Sequence, residues 1–272
     1  VVLKAEEHDL PRQWWGDFAV ADGESLCWQI GPMQLQWVNA GSQWRCAYRR
    51  LADVDDESTV GWQLTRGDAT PAFDENPQRF VFSQPMRHAT VLPALADRSV
   101  ITRPTTALTI PPRQSALLLF STPLWFQLRC AGVSQPLFEV PISRPSDTWF
   151  GPSTCEGELA YASRTHARLQ GEALPPRPHR AVTPVRIENR IDAPLLIERI
   201  SLPVTLLSLF VAADGMLWTE EVTLRREQAG EMAALQVGQG APLLAQAATL
   251  VQGPRNANRS GILLRAFAAL FH

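Results

Sequence analysis

Apolar residues recur at every second position through run after run of this chain. Leu26, Trp28 and Ile30 share one parity, and Met33, Leu35 and Trp37 share the next, with Gln34 and Gln36 between them. Trp44, Cys46 and Tyr48 then alternate with Arg45, Ala47 and Arg49. Successive side chains of a pleated strand point to opposite faces, so this alternation specifies a sheet with one buried and one wet face. Gly31-Pro32 and Asn39-Ala40-Gly41-Ser42 supply turn chemistry between the runs. The pattern predicts an antiparallel meander with Trp28, Trp37, Trp44 and Trp62 on the buried parity.

The same grammar continues downstream. Strands are expected at 60–64, 79–82, 108–110 and 137–140, and Ala116 to Phe120 reads as a strand buried on both faces. Leu124, Phe126, Leu128 and Cys130 alternate with Trp125, Gln127 and Arg129. The segment from Leu169 to Pro184 holds Pro175, Pro176, Pro178 and Pro184, too many prolines for a ladder or a helix, and marks the expected domain boundary. Beyond it come strands at 195–202, 204–212, 217–224 and 233–237, with Asp214-Gly215 as a hairpin turn. At the end, Ile262, Leu263, Ala266, Phe267, Leu270 and Phe271 fall on one helical face that Ser260 can cap. The fold class is therefore all-β: two β-sandwich-like antiparallel domains, residues 1–170 and 178–272, with a short C-terminal helix.

Composition narrows the chemistry. Lys4 is the only lysine among 25 basic residues, so Schiff-base and phosphate-loop mechanisms have one amine available, near the N-terminus. The formal charge of −2 gives no global attraction to nucleic acid or anionic membrane. No apolar run approaches the roughly 20 residues of a spanning helix. Val1 to Asp9 lacks a basic region followed by an apolar stretch, so no secretory signal is read there, and a leader removed before Val1 is left open. Cys27, Cys46, Cys130 and Cys155 lie too far apart for a disulfide scaffold or a zinc motif, which points to a reduced, cytoplasmic protein.

Two sets of residues carry the candidate chemistry. If 156–166 is one strand, Glu156, Glu158, Arg164 and His166 share a face, and the two carboxylates with His166 form a candidate metal or acid–base site. The plainer reading is a solvated strand face with a Glu–Arg pair, because only His179 or His88 offers a further ligand. Trp14, Trp15, Trp125, Trp149 and Trp218 stand beside Gly, Pro or polar residues, so they are candidates for exposed rings that stack a ligand; large aromatics also fill sandwich cores. Ligand-binding candidates are Trp149, Tyr161, Arg164 and Trp218. No metal site and no cofactor is expected.

The runs Pro123-Leu124-Trp125, Thr148-Trp149-Phe150-Gly151-Pro152, 156–162 (Glu-Gly-Glu-Leu-Ala-Tyr-Ala) and Leu217-Trp218-Thr219-Glu220 resemble a prokaryotic family catalogued as domain of unknown function 432, over most of the chain. The resemblance implies a soluble bacterial or archaeal protein and supplies no mechanism or catalytic residues. The functional expectation is a soluble, non-enzymatic binding or interaction module with a protein or small-molecule partner. One alternative is a metal-assisted hydrolase using Glu156, Glu158 and His166. The other is a carbohydrate or small-ligand binder using exposed tryptophans.

Overall fold

The structure, a computed structural model, describes residues 13–51, 61–71, 76–151, 153, 155–172, 174–228, 232–257 and 263–268. In chain order the strands are β1 (Gly16–Ala19), β2 (Glu24–Ile30), β3 (Met33–Ala40), β4 (Gln43–Arg50), β5 (Trp62–Asp68), β6 (Gln78–Val81) and β7 (His88–Ala94). Next come β8 (Val100–Pro104), β9 (Leu108–Ile110), β10 (Ser115–Pro123), β11 (Trp125–Arg129), β12 (Phe138–Pro141), β13 (Ser146–Phe150), β14 (Glu158–Thr165) and β15 (Arg168–Leu169). The remainder are β16 (Arg180–Asn189), β17 (Leu195–Ile197), β18 (Arg199–Leu202), β19 (Leu209–Val211), β20 (Leu217–Thr219), β21 (Val222–Arg226), β22 (Met232–Val237), β23 (Thr249–Gln252), β24 (Leu263–Arg265) and β25 (Phe267–Ala268). Among the described residues the only helix is a single 3-10 turn, Val204–Leu206, so the all-β reading holds. None is long or apolar enough to cross a membrane.

The chain divides into two compact units, the first formed by residues 1–92 and 127–140 and the second by 93–126 and 141–272. The Pro-rich segment lies within the second unit.

The first unit contains the expected meander as a five-stranded antiparallel sheet, β5-β2-β3-β4-β6. Its hairpins are two-residue loops: Ile30 pairs Met33 across Gly31-Pro32, and Ala40 pairs Gln43 across Gly41-Ser42. Gly31 and Gly41 adopt φ of 52° and 70°, the left-handed conformation such turns require and glycine adopts without a Cβ clash. Trp28, Trp37 and Trp44 are fully buried, as their parity predicts, whereas Trp62 is half-buried. Trp37 meets Trp44 edge-on at 4.7 Å, and Trp44 meets Phe82 at 4.8 Å. Burial of two of the three indole N–H groups is offset by bonds from Trp28 Nε1 to the Trp14 carbonyl (3.1 Å) and from Trp44 Nε1 to the Met86 carbonyl (2.8 Å).

A further four-stranded sheet has the order β1-β7-β11-β12. Trp125 and Gln127, expected on a wet face, are 5% and 1% exposed. Trp125, Phe126, Gln127 and Leu128 are buried in succession along β11, so side chains on both of its faces are covered. Gln127 meets the cost by donating from Nε2 to Glu139 Oε2 (3.0 Å).

The second unit holds a nine-stranded sheet whose main path is β23-β19-β20-β16-β21-β22-β24, with β10 joined to β16 and β15. It also holds a five-stranded sheet, β13-β14-β8-β18-β25, and the pair β17-β9. Three pairings depart from the expected antiparallel pattern: β16 runs parallel to β20 and β21, and β14 parallel to β8. The Asp214-Gly215 turn is present between β19 and β20, with Gly215 at φ 82°.

The expected C-terminal helix is replaced by strand. Leu263–Arg265 pairs antiparallel with β22 and Phe267–Ala268 pairs with β18, so the ladders of two sheets claim backbone groups that a helix would have used internally. Ser260, Ile262, Leu270 and Phe271 lie outside the described residues.

Candidate functional site

The nine-stranded sheet presents one face with an unusual mixture of side chains. Register places Leu119 opposite Arg168, Ser121 opposite Val182 and Pro123 opposite Arg180, and sets Val182 beside Trp218. Directly opposed residues point to the same side, and so do residues two apart on a strand. Arg168, Leu119, Ser121, Val182, Arg180, Trp218 and Met216 therefore share one face. Leu119, Trp218, Ala212 and Ala245 pack into a buried cluster there, with Leu174, Val182 and Met216 against it.

Leu174 brings the Pro-rich segment onto this face, and a cleft forms between them. Its water-accessible volume is about 60 Å³, and it opens to solvent on one side. Leu119, Val182, Met216, Leu217, Leu174 and Pro175 supply apolar wall, while Ser121, Thr165, His166, Arg168, Arg177 and Arg180 supply the polar groups. No carboxylate is among these lining residues. The lining has the composition of small-molecule sites, apolar wall with a few convergent polar groups.

The polar groups are held by specific bonds. Arg180 donates from Nε to Ser121 Oγ (2.5 Å) and from Nη2 to the Ser121 carbonyl (3.1 Å) and Ser163 Oγ (2.9 Å), which orients its guanidinium. Thr165 is buried, and its Oγ1 accepts from the backbone N–H of Ser121 (3.3 Å) and of Ala167 (3.2 Å). Ala167 sits at φ 47°, a left-handed conformation that costs an L-residue with a Cβ roughly 1–2 kcal/mol. This strained residue separates β14 from β15 and stands between His166 and Arg168, both of which line the cleft. Strain of this kind persists only where surrounding structure holds it, and it concentrates at binding sites.

Beside the cleft residues, His179 is 7% exposed, and its Nδ1 is buried without a hydrogen bond among the described residues. Burial, reinforced by the charges of Arg180 and Arg177, pushes its pKa down to about 3. Trp218 Nε1 is likewise buried without an acceptor among the described residues.

The sequence candidates fare unevenly. Glu158 opens β14 and His166 follows its end, so an extended strand separates them by about 26 Å. Glu156 precedes the strand, and the three do not come together. No group of three or more His, Cys, Asp or Glu suited to a metal occurs among the described residues. Arg164, exposed, stands next to Arg103 in the parallel register rather than beside a glutamate. Of the tryptophans expected to be exposed, Trp14, Trp15, Trp125 and Trp218 are buried at 6% exposure or less; sheet and core neighbours cover them despite their polar sequence context. Trp218 nonetheless belongs to the cluster beneath the cleft.

Trp149 is the exception, at 43% exposed. Its Nε1 donates to the Ser153 carbonyl (2.7 Å), and a Cβ on Gly157 would come within 2.8 Å of its indole, so only glycine allows that approach without displacement. Trp149 pairs with Leu159, and Asp147 with Tyr161, which puts the four on one face of the β13–β14 hairpin. Tyr161 donates its hydroxyl to Asp97 Oδ1 (3.0 Å), and the Arg98 guanidinium lies 5.3 Å from its ring centroid.

Sequence reasoning missed Arg168, Arg177 and Arg180. The signal was local: between positions 164 and 180 lie four arginines and two histidines against the single carboxylate of Glu172. The near-neutral total charge masked it.

The family described as "Protein of unknown function (DUF432)" matches residues 14–272, almost the whole chain. No curated protein and no solved structure matches it.

Proposed function

The chain belongs to the DUF432 family of proteins of unknown function, and we propose that it is a non-enzymatic binding module that seats a small ligand in the cleft beneath its Pro-rich segment. One observation carries the reading. The polar lining comes from three separate stretches of chain, and the bonds of Thr165 hold strained Ala167 between two of its members. A segment that merely closed a core would have no need of strain at that position. The reading takes each unit as sandwich-like and the protein as a prokaryotic, cytoplasmic one; its four free cysteines are compatible with a reducing compartment.

The test is chemical-shift mapping of the full chain with a mixed small-molecule library. Resonances of Leu119, Val182 and Leu217 should move, and Met216→Trp, which fills the cleft, should abolish the movement. Shifts confined to other parts of the molecule would sink the proposal.

A second reading rests on Trp149. An exposed indole already fixed by a hydrogen bond is a low-entropy surface for stacking a sugar ring, with Asp147 and Tyr161 on the same face. Titration with neutral oligosaccharides checks it: fluorescence quenching should occur and disappear in Trp149→Ala.

A further inference from the structure

We propose that the ligand of the cleft is an oxyanion, a carboxylate or a phosphate monoester, carried on a short apolar body. This rests on the reading of the cleft as a ligand site and adds the class of ligand. Three guanidiniums, from Arg168, Arg177 and Arg180, line the cleft with the imidazole of His166 and no lining carboxylate among the described residues. In a chain of net charge −2, this is a local concentration of positive charge. Low-dielectric walls focus such a field on the cleft, and guanidinium forks match carboxylate and phosphate oxygens.

The apolar half of the proposal has its own support. Leu119, Val182 and Met216 form a continuous wall on the sheet, and Leu174 packs with them from the Pro-rich segment. A bare inorganic ion would leave that wall wet. A short alkyl or aromatic body covers it, at about 25 cal/mol per Å² removed from water. The charge of Arg180 and Arg177 also reaches His179, where it joins burial in keeping the imidazole neutral. A cationic imidazole there would add to a cluster that already repels it.

Calorimetric titration of the full chain with hexanoate, hexyl phosphate, hexanol and inorganic phosphate at low salt separates these parts. Both hexyl anions should bind at least about tenfold tighter than hexanol, because charge-assisted bonds to guanidinium are roughly twice as strong as neutral ones. Added salt should weaken the anions and leave hexanol unchanged. Arg177→Gln should erase most of the preference for anions without altering hexanol affinity, and Arg168→Gln, on a different element, repeats the measurement should the first variant fail to fold. The stronger of the two hexyl anions identifies the head group. If hexanol binds as tightly as the anions and Met216→Trp abolishes all three, the anion class is overturned while the cleft reading stands. Inorganic phosphate binding as tightly as hexyl phosphate overturns the apolar body. Absence of binding by all four ligands up to about 10 mM, a threshold already weaker than 4 kcal/mol of affinity, overturns both readings.

Discussion

The two units obey local rules to different degrees. In the first, every described residue at a positive φ outside the extended region is a glycine: Gly16, Gly23, Gly31, Gly41 and Gly132. In the second, three non-glycines do the same, Arg113, Ala167 and Ala247. Buried polar atoms without a hydrogen bond follow suit. Among the described residues Trp37 and Asn39 contribute them in the first unit; Thr102, His179, Asn189, Trp218 and Arg226 contribute them in the second. Where turn chemistry, alternation and burial all agree, a region is specified mainly for folding; where they conflict, a functional demand is the usual cause. The cleft lies in the unit that breaks the rules.

The largest effect should come from the compliant unit. Trp37→Ala removes a fully buried indole that packs edge-on against Trp44 and should cost about 3–5 kcal/mol by chemical denaturation. A loss under about 1 kcal/mol would mean that the meander does not hold its unit together, and the contrast would collapse.

Acid should act next, and through the other unit. His179 has a folded pKa of about 3 against an ordinary 6.5, so the unfolded chain takes up the proton first. Its contribution is complete above pH 6.5 and is lost as pH falls toward 3, with a slope of up to about 1.4 kcal/mol per pH unit. Glu188, held below the usual carboxylate range by Arg190 and Arg225 against the opposing effect of burial, joins only at lower pH. Stability followed from pH 6.5 to 4.5 should fall by about 2–3 kcal/mol and should be nearly flat in His179→Met. A variant with the same acid sensitivity as the parent would remove His179 from the account.

Ala167 sharpens the comparison further. Ala167→Val forces a β-branched side chain into the left-handed region and should cost about 2 kcal/mol, while Ala167→Gly should stay within about 1 kcal/mol of the parent, trading strain relief against unfolded-state entropy. Thermal melts decide it; equal effects of the two substitutions would mean that no strain is stored there. As the smallest effect, Leu243→Ser should shift stability by less than about 0.5 kcal/mol, because Leu243 is fully exposed and touches neither the cleft nor the core.

Legibility in the sequence followed the same division. β2, β3 and β4 could be read almost residue by residue, because each pairs with its chain neighbour and glycine marks each turn. Nothing local announces that β16 will accept β20 and β21 in parallel, since such partners are chosen by burial across long separations. The C-terminal apolar spacing suited a helix, yet Leu263–Arg265 and Phe267–Ala268 extend two existing sheets. Tertiary pairing overrode a six-residue pattern. Of the candidate site, Trp218 was found for the wrong reason: it was expected as an exposed ring and is instead packed under the cleft. His166 was a candidate metal ligand or base and lines a cationic cleft, while the three arginines went unremarked because a charge total averages over space.

The first unit is interrupted in sequence, and that has a consequence during synthesis. Residues 1–92 leave the ribosome before their remaining partner, 127–140, has been translated. At about 5–20 residues per second, the intervening stretch delays its completion by about 2–7 s. During that interval Trp28, Trp37 and Trp44 belong to a nascent chain whose own unit is unfinished. Their meander, with its two-residue turns, needs no later partner to pair its central strands. Early hairpin closure thus pairs the backbone of the strands that carry these indoles while the ribosome is still at work.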